Sequence, residues 1–304
     1  MLPISTLTVV IPAYNEELRI GKCLDSILAQ RRPPDEIIVV DNASTDSTAS
    51  VVDDYAERTP TLRRIEEFRP GVAAARECGF DAATSDIIAR VDADCIAEPD
   101  WVARIVDVFD RHDDHDCAAA TGPVIVSDGP FTEREMRRAR AAGADPHSGK
   151  AFVGMAGPNL SIRSTAWRKI RDDLLSGDDA DGTWEDIDIA IALRRAGLGI
   201  RFEPGIIVGA SGRQARHSPW ANRDHILGGI RTARARGDRA ALRGMYAQLP
   251  IRLLTSTISW LILRPWDPEK LNWRPHRLLT PLPRERILST EKRDASRYPG
   301  QHGH

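Results

Sequence analysis

The sequence predicts an α/β fold in which a largely parallel sheet is covered by helices and followed by a helical C-terminal appendage. Three observations predict it. Short apolar runs alternate with helical patterns through the first hundred residues, which is the arithmetic of strand, crossover helix, strand. Four of those runs end in unusual polar residues. The chain has 304 residues, 41% hydrophobic and 28% charged, enough to bury the core of one large domain plus an appendage.

Leu7 to Ile11 reads as a strand. Glu16 to Gln30 reads as a helix because Ile20, Leu24, Ile27 and Leu28 form one stripe. Glu36 to Val40 is a second strand, Asp46 to Glu57 a helix, Leu62 to Glu66 a strand, Val72 to Ala83 an alanine-rich helix and Asp86 to Val91 a fourth strand. Pro99 starts a further helix, where proline is tolerated. Ala118 to Val126 looks like a strand and Glu133 to Ala142 like a charged surface helix between Gly-Pro and Asp-Pro turns. Asp172 to Thr183 is acidic and aperiodic, a mobile loop leading to a helix that begins near Glu185. After Ser211 the composition shifts to arginine in a helix-prone stretch, and prolines recur from Arg264 onward.

The formal net charge of −2 gives no global attraction to nucleic acid, and neither zinc-ligand spacing nor an RNA-binding signature is present. Cys23, Cys78, Cys95 and Cys117 are scattered without a Cys-x-x-Cys pair, which suits reduced thiols. The N-terminal apolar run is short and has no basic segment before it, so the expected location is the cytoplasm. Ile251 to Leu263 is too short to span a bilayer and is interrupted by Arg252.

In a doubly wound sheet, ligands gather at the carboxyl ends of the strands. Here those ends carry Pro12, Ala13, Tyr14 and Glu16 after the first strand, Asp41 and Asn42 after the second, Arg69, Gly71 and Arg76 after the third, and Asp92-Ala93-Asp94 after the fourth. On an extended chain Asp92 and Asp94 would point the same way, and two hard oxygen ligands suit Mg²⁺ or Mn²⁺. Such a rim could hold a nucleotide, with carboxylates and amides reading base and ribose while arginine and metal neutralise diphosphate.

The motifs "VVIPAYNEE", "IIVVDNASTDST", "RPGVAAARECGF", "ARVDADC", "GPNLSIR" and "WEDIDIAIALRRAG" occur in that order between Val9 and Gly197. As a set they resemble glycosyltransferase family 2, enzymes with a GT-A fold that move a sugar from a nucleoside diphosphate. The resemblance implies a GT-A-like nucleotide-binding sheet over residues 1–210, with nucleotide bound by 1–98 and acceptor by 99–210. It implies that Ala13, Glu16 and Asp41 line the nucleoside pocket, that Arg76 lies near it or the diphosphate, and that Asp94 is the principal metal ligand. It makes Asp186 the base of an inverting transfer, beside Glu185, with Trp184 either stacking on a sugar or packing. Gly157, Pro158 and Asn159 are acceptor-side candidates, and His217 falls where related enzymes sometimes place a metal or phosphate ligand.

The chain departs from the family at Ala192, where arginine is common, and Gln214, Arg216 and Trp220 do not reproduce the Gln-x-x-Arg-Trp motif of processive members. The implied reaction is therefore non-processive, from a UDP-sugar first and GDP-sugars behind it, to a hydroxyl-bearing glycan, a lipid-linked or a small-molecule acceptor. A catalytically silent nucleotide- or glycan-binding protein is the alternative. Residues 211–263 form the arginine-rich appendage and 264–304 a Pro-rich tail. Basic charge and tryptophan there suit peripheral membrane contact, but the preferred expectation is that the apolar run Ile251 to Leu263 packs on the catalytic domain.

Overall fold

The computed structural model describes residues 5–145, 147–176, 182–280 and Leu282. Its centre is an eight-stranded mixed sheet. The first strands are β1 (Leu7–Ala13), β2 (Glu36–Asp41), β3 (Leu62–Glu66) and β4 (Ile87–Val91), parallel to one another. β9 (Asn159–Arg163) then runs antiparallel beside β4, followed by β6 (Ala119–Thr121), β10 (Ile200–Phe202) and the edge strand β8 (Lys150–Phe152), giving the order β3-β2-β1-β4-β9-β6-β10-β8. A second sheet of three short strands, in the order β5-β11-β7, is built from β5 (Cys95–Ala97), β11 (Val208–Ala210) and β7 (Val124–Val126).

Alternate residues of the central strands feed two cores, as the period-2 pleat requires. Val9, Ile11, Ile37 and Val39 meet α1 (Ile20–Leu28), α2 (Thr48–Ala56) and α4 (Trp101–Arg111) on one face. Val10, Ile38, Val40 and Ile88 meet α3 (Val72–Ala82), α6 (Ser164–Ile170) and α7 (Glu185–Arg195) on the other. Gly79 lets α3 lie close on the sheet, because a Cβ there would stand 2.3 Å from Val10 Cγ1 and 2.8 Å from Val40 Cγ2. α5 (Thr132–Ala142) lies on the surface, with only Ala139 buried.

Several boundaries differ from the sequence expectation for local reasons. The first helix begins at Ile20, because Glu16 to Arg19 forms a turn closed by Arg19 N–H to Glu16 C=O (2.9 Å), which swings the Glu16 side chain inward. The fourth helix begins at Trp101, after Pro99 and Asp100 complete a turn. The strand expected over Ala118 to Val126 is two strands in different sheets. Gly122-Pro123 breaks it, and Gly122 is pressed so close to the Ile206 carbonyl that a Cβ there would lie 2.0 Å from it. Within the expected loop Asp172 to Thr183, Arg171–Asp173 forms a 3₁₀ turn, Leu175 N–H donates to buried Asp188 (2.8 Å), and residues 177–181 fall outside the described residues.

The appendage is α8 (Arg223–Ala235) and α9 (Arg239–Leu263), which carries Pro250 and is followed by the hairpin β12 (Trp266–Asp267) and β13 (Asn272–Trp273). Among the described residues, no helix is long and apolar enough to cross a membrane. The inner side of α9 packs as expected, Arg252 lying 4.7 Å from the Trp184 ring and Met245 against Gly229. Its outer side does not. Ile251, Leu254, Ile258 and Leu261 are each 47–61% exposed, so only part of the apolar run is covered. The Pro-rich tail beyond Thr280 lies, apart from Leu282, outside the described residues.

Candidate active site

Register determines which motifs meet. β1 pairs in parallel with β2 and β4, Ala13 opposite Asp41 and Val10 opposite Arg90, so the chain leaves all three strands at one edge of the sheet. β9 is antiparallel and pairs Val91 with Asn159, so Gly157 and Pro158 arrive at that same edge beside Asp92. In the small sheet Cys95 pairs with Ala210, which brings the residues after β11 to Asp94. The result is a cavity of about 590 Å³, within the range of small-ligand sites.

The first two rim loops interlock. Asn15 and Ala43 both adopt left-handed backbone (φ 53° and 56°), a conformation that costs free energy in residues with a Cβ and concentrates at functional loops. Asn15 N–H donates to Ser44 Oγ (3.0 Å), Thr45 N–H donates to Asn15 Oδ1 (2.8 Å), and Glu16 N–H donates to Thr48 Oγ1 (2.8 Å). Pro12, Ala13, Tyr14 and Glu16 line the cavity from this side, together with Asn42. Asn42 also fixes the next loop by donating to the Glu67 and Arg69 carbonyls (2.8 and 2.7 Å) and accepting from Gly71 N–H (3.1 Å). Gly71 sits at φ 112°, a conformation that favours glycine.

Asp92, Ala93 and Asp94 line the cavity, but the strand stops at Val91 and the chain turns, Cys95 N–H donating to Asp92 C=O (2.9 Å). Strand alternation therefore does not set the two carboxylates. Asp92 takes Arg90 (2.8 Å) and Asp94 takes Arg213 (3.2 Å). Arg213 also pairs with Glu16, whose carboxyl is raised above its usual range by burial, against the opposing effect of Arg213.

Arg90 is the residue that the sequence reading missed. It is 2% exposed, inside a strand that counts as apolar, and its other branch donates to Glu185 Oε1 at 2.7 Å. One guanidinium thus ties the acidic turn after β4 to the start of α7. A lone charge within a fully buried strand, two residues before an acidic turn, was the available signal.

At that helix start Asp186 accepts from Gly157 N–H (3.1 Å) and from its neighbour Ile187 N–H (2.8 Å). Burial, and then the charge of Glu185, push its carboxyl up to about 7. Burial alone would also raise Glu185, but the charge and hydrogen bond of Arg90 outweigh it and hold Glu185 below the usual range. α7 is anchored by Ile189 and Leu193 in the core and by buried Asp188, which pairs with Arg236 at the end of α8. Trp184 lines the cavity while its indole packs against the His225 ring (5.2 Å) and Arg252. Gly228 makes room for it, since a Cβ there would stand 2.3 Å from the indole Cδ1.

Five expected residues lie outside the cavity wall. Asp41 turns back to accept Ser44 N–H (3.0 Å), and Arg69 is exposed and pairs with Glu67 and Glu77. Gly71 supplies backbone shape only. Arg76 is buried beneath the site, donating to the Glu185 carbonyl (3.4 Å) with Trp167 5.7 Å away. Asn159 is spent on Trp101 Nε1 (2.9 Å) and the Ile206 carbonyl (2.7 Å). Gly157, Pro158, Glu185 and His217 do line the cavity, and so do Arg213, Asp224, His225 and Arg231 of the appendage.

No group of three or more His, Cys, Asp or Glu residues among the described residues could hold a metal ion by itself. The corner formed by Glu16 and Asp94 already accommodates a cation, the Arg213 guanidinium, and its donors are hard oxygens. The residues present fit Mg²⁺ or Mn²⁺.

The model of "Glycosyl transferase family 2" matches residues 8–176, ending before Trp184. Among curated proteins the chain is 34% identical over 108 residues to an uncharacterized glycosyltransferase of Nostoc, covering 35% of this chain and 34% of that one. It is 35% identical over 105 residues to glycosyltransferase GlyA of Streptococcus pneumoniae (34% and 15%). With a glucosyl-dolichyl phosphate glucuronosyltransferase of Haloferax volcanii the identity is 28% over 124 residues (40% and 39%). The matched part spans less than two-fifths of each of these relatives. Among solved structures, a mannosyltransferase from Pyrobaculum calidifontis in complex with GDP-mannose and Mn²⁺ superposes with TM-score 0.61 at 23% identity, over 85% of this chain and 74% of that one. TarS of S. aureus in complex with UDP-GlcNAc superposes with TM-score 0.53 at 18% identity (82% and 73%). With the GT-A fold shared by these structures and a family match across more than half its length, the chain belongs to glycosyl transferase family 2.

Proposed function

We propose that the chain is an inverting, non-processive glycosyltransferase that moves a sugar from a nucleoside diphosphate, UDP first and GDP second, to a hydroxyl acceptor. The observation that carries this reading is the Asp186 carboxylate, positioned by two backbone N–H groups at the cavity wall and raised to about 7. An acceptor hydroxyl becomes acidic as its oxygen attacks the anomeric carbon, and a carboxylate poised near neutrality takes the proton efficiently. The new C–O bond forms on the face opposite the diphosphate, whose oxygen leaves with the bonding electrons. One displacement with one base inverts the anomeric centre.

Asp94, with Asp92 beside it, would hold Mn²⁺ or Mg²⁺, which when bound supplies positive charge where the leaving diphosphate develops negative charge. Arg213 is the protein's own cation at that corner, while Tyr14, Asn42 and the first two loops shape the nucleoside end. Nucleotide and nucleotide-sugar complexes among the structures that share this fold support a donor of this class. Incubating the protein with each nucleotide sugar and measuring donor hydrolysis tests the reading; no hydrolysis or transfer from any donor, with nucleotide still bound, would favour the silent binding protein.

Nucleoside diphosphate binding is expected to require the divalent ion, since carboxylates repel phosphate directly. Saturating UDP or GDP with Mn²⁺ should raise the melting temperature by about 5 °C or more. EDTA or Asp94→Ala should remove the gain, and an equal gain in every condition would contradict the metal role.

The rate should also depend on pH with a definite sign. Asp186 acts unprotonated, so the limiting rate should rise with pH and level off above about 7. Glu185→Gln removes the neighbouring negative charge that helps raise Asp186, and should move that limb to lower pH. A profile flat from pH 5 to 8 would exclude Asp186 as the titrating base.

A further inference from the structure

We infer that the outer face of α9 is a docking surface for an anionic phospholipid bilayer. Ile251, Leu254, Ile258 and Leu261 recur at steps of three and four residues, which places them on one side of the helix. They are 61%, 58%, 47% and 47% exposed, and no described residue covers them. Toward the N-terminus the same side continues through Ala247, Arg243 and Ala240, all exposed, with Arg239 flanking it. The hairpin that follows the helix exposes Leu271 and Trp273. Arginine flanking an apolar stripe is what a helix lying in the headgroup region carries.

Charge decides the occupant. Residues 239–263 contain three arginines and no Asp or Glu, and residues 211–280 hold 13 Lys and Arg against 4 Asp and Glu. Residues 1–210 hold 24 Lys and Arg against 37 Asp and Glu. An anionic surface attracts the α9 face, which carries exposed Arg239 and Arg243 and no carboxylate, so it both binds and orients the chain with α9 toward the lipid. Two α9 helices paired in parallel along their outer faces would set arginines near each other, and in either direction the seam would hold no carboxylate to pair with them, the opposite of what selects a coiled-coil partner. The inference stands apart from the transfer reaction, since it is read from a surface that no donor or acceptor contact defines.

The full chain should cosediment with vesicles of phosphatidylcholine and phosphatidylglycerol about tenfold more than with phosphatidylcholine alone, and be released by high salt. Leu254→Glu with Ile258→Glu, both at exposed positions, should leave the melting temperature unchanged and abolish cosedimentation. Arg239→Ser with Arg243→Ser should lower the part of binding that salt removes. Failure to bind the anionic vesicles, or undiminished binding by the Glu variant, would overturn the inference. So would a wild-type dimer in size-exclusion chromatography that the Glu variant converts to monomer, because a second copy would then be the occupant.

Discussion

Replacing Asp186 by Asn should lower sugar transfer by about a hundred- to ten-thousand-fold while nucleotide affinity stays near wild type. The substitution keeps the shape and one of the two acceptor oxygens, so either the Gly157 or the Ile187 N–H keeps its partner while the other faces the amide NH2. It removes the basicity at the cost of one backbone hydrogen bond. Because the proposed nucleoside end is lined by the loops after β1 and β2, an effect confined to Asp186 would belong to the chemical step and not to binding. Calorimetry with nucleoside diphosphate, product release, and proton coupling constants of the product measure the three quantities separately. Near-normal transfer, or a product of retained configuration, would refute the assignment.

Arg90→Met should be the most destabilising single change at the site, by about 3 kcal/mol or more. Its guanidinium is buried and holds Asp92 at 2.8 Å and Glu185 at 2.7 Å. Removing it leaves two half-buried carboxylates without the cation they share, and an uncompensated charge is costlier than a pair never made. Arg90→Lys retains the charge but loses the fork that reaches both partners, so it should recover only part of the loss. Combining Arg90→Met with Glu185→Gln removes one of the orphaned charges, and the pair should be less harmful than the sum of its parts by about 1–3 kcal/mol. Urea midpoints at constant m-value read these differences. A loss below about 1 kcal/mol in the single variant would mean that solvent already screens the network.

The first four strands and their rim motifs were legible in the sequence because their periodicities are long and unmixed, and a parallel sheet brings its carboxyl ends together whatever the loops do. The first helix was misjudged at its start because Glu16 to Arg19 satisfies helical composition while the backbone forms a turn. β5 and β11 escaped notice because three-residue strands carry no periodicity. With them went the reason that Arg213 meets Asp94. Arg90 was hidden by its apolar neighbours. Asp41 accepts the Ser44 N–H and lies off the cavity wall, an arrangement decided by where Ser44 N–H points and not by composition. The exposed side of α9 was equally unreadable, since an apolar run has the same letters whether a core covers it or not.

The coupling between α7 and the appendage has a practical consequence for engineering and for the family's diversification. Arg236 holds Asp188, Arg194 meets Asp238, Thr232 Oγ1 receives Trp184 N–H at 2.7 Å, and Arg213 supplies the cation beside Asp94. Residues 211–263 are therefore not a cassette that can be exchanged while the cavity at the sheet edge stays untouched. A chimera joined at residue 210 would inherit a helix start without its clamps and an acidic corner without its counterion, so a graft has to carry matched residues on both sides of the junction.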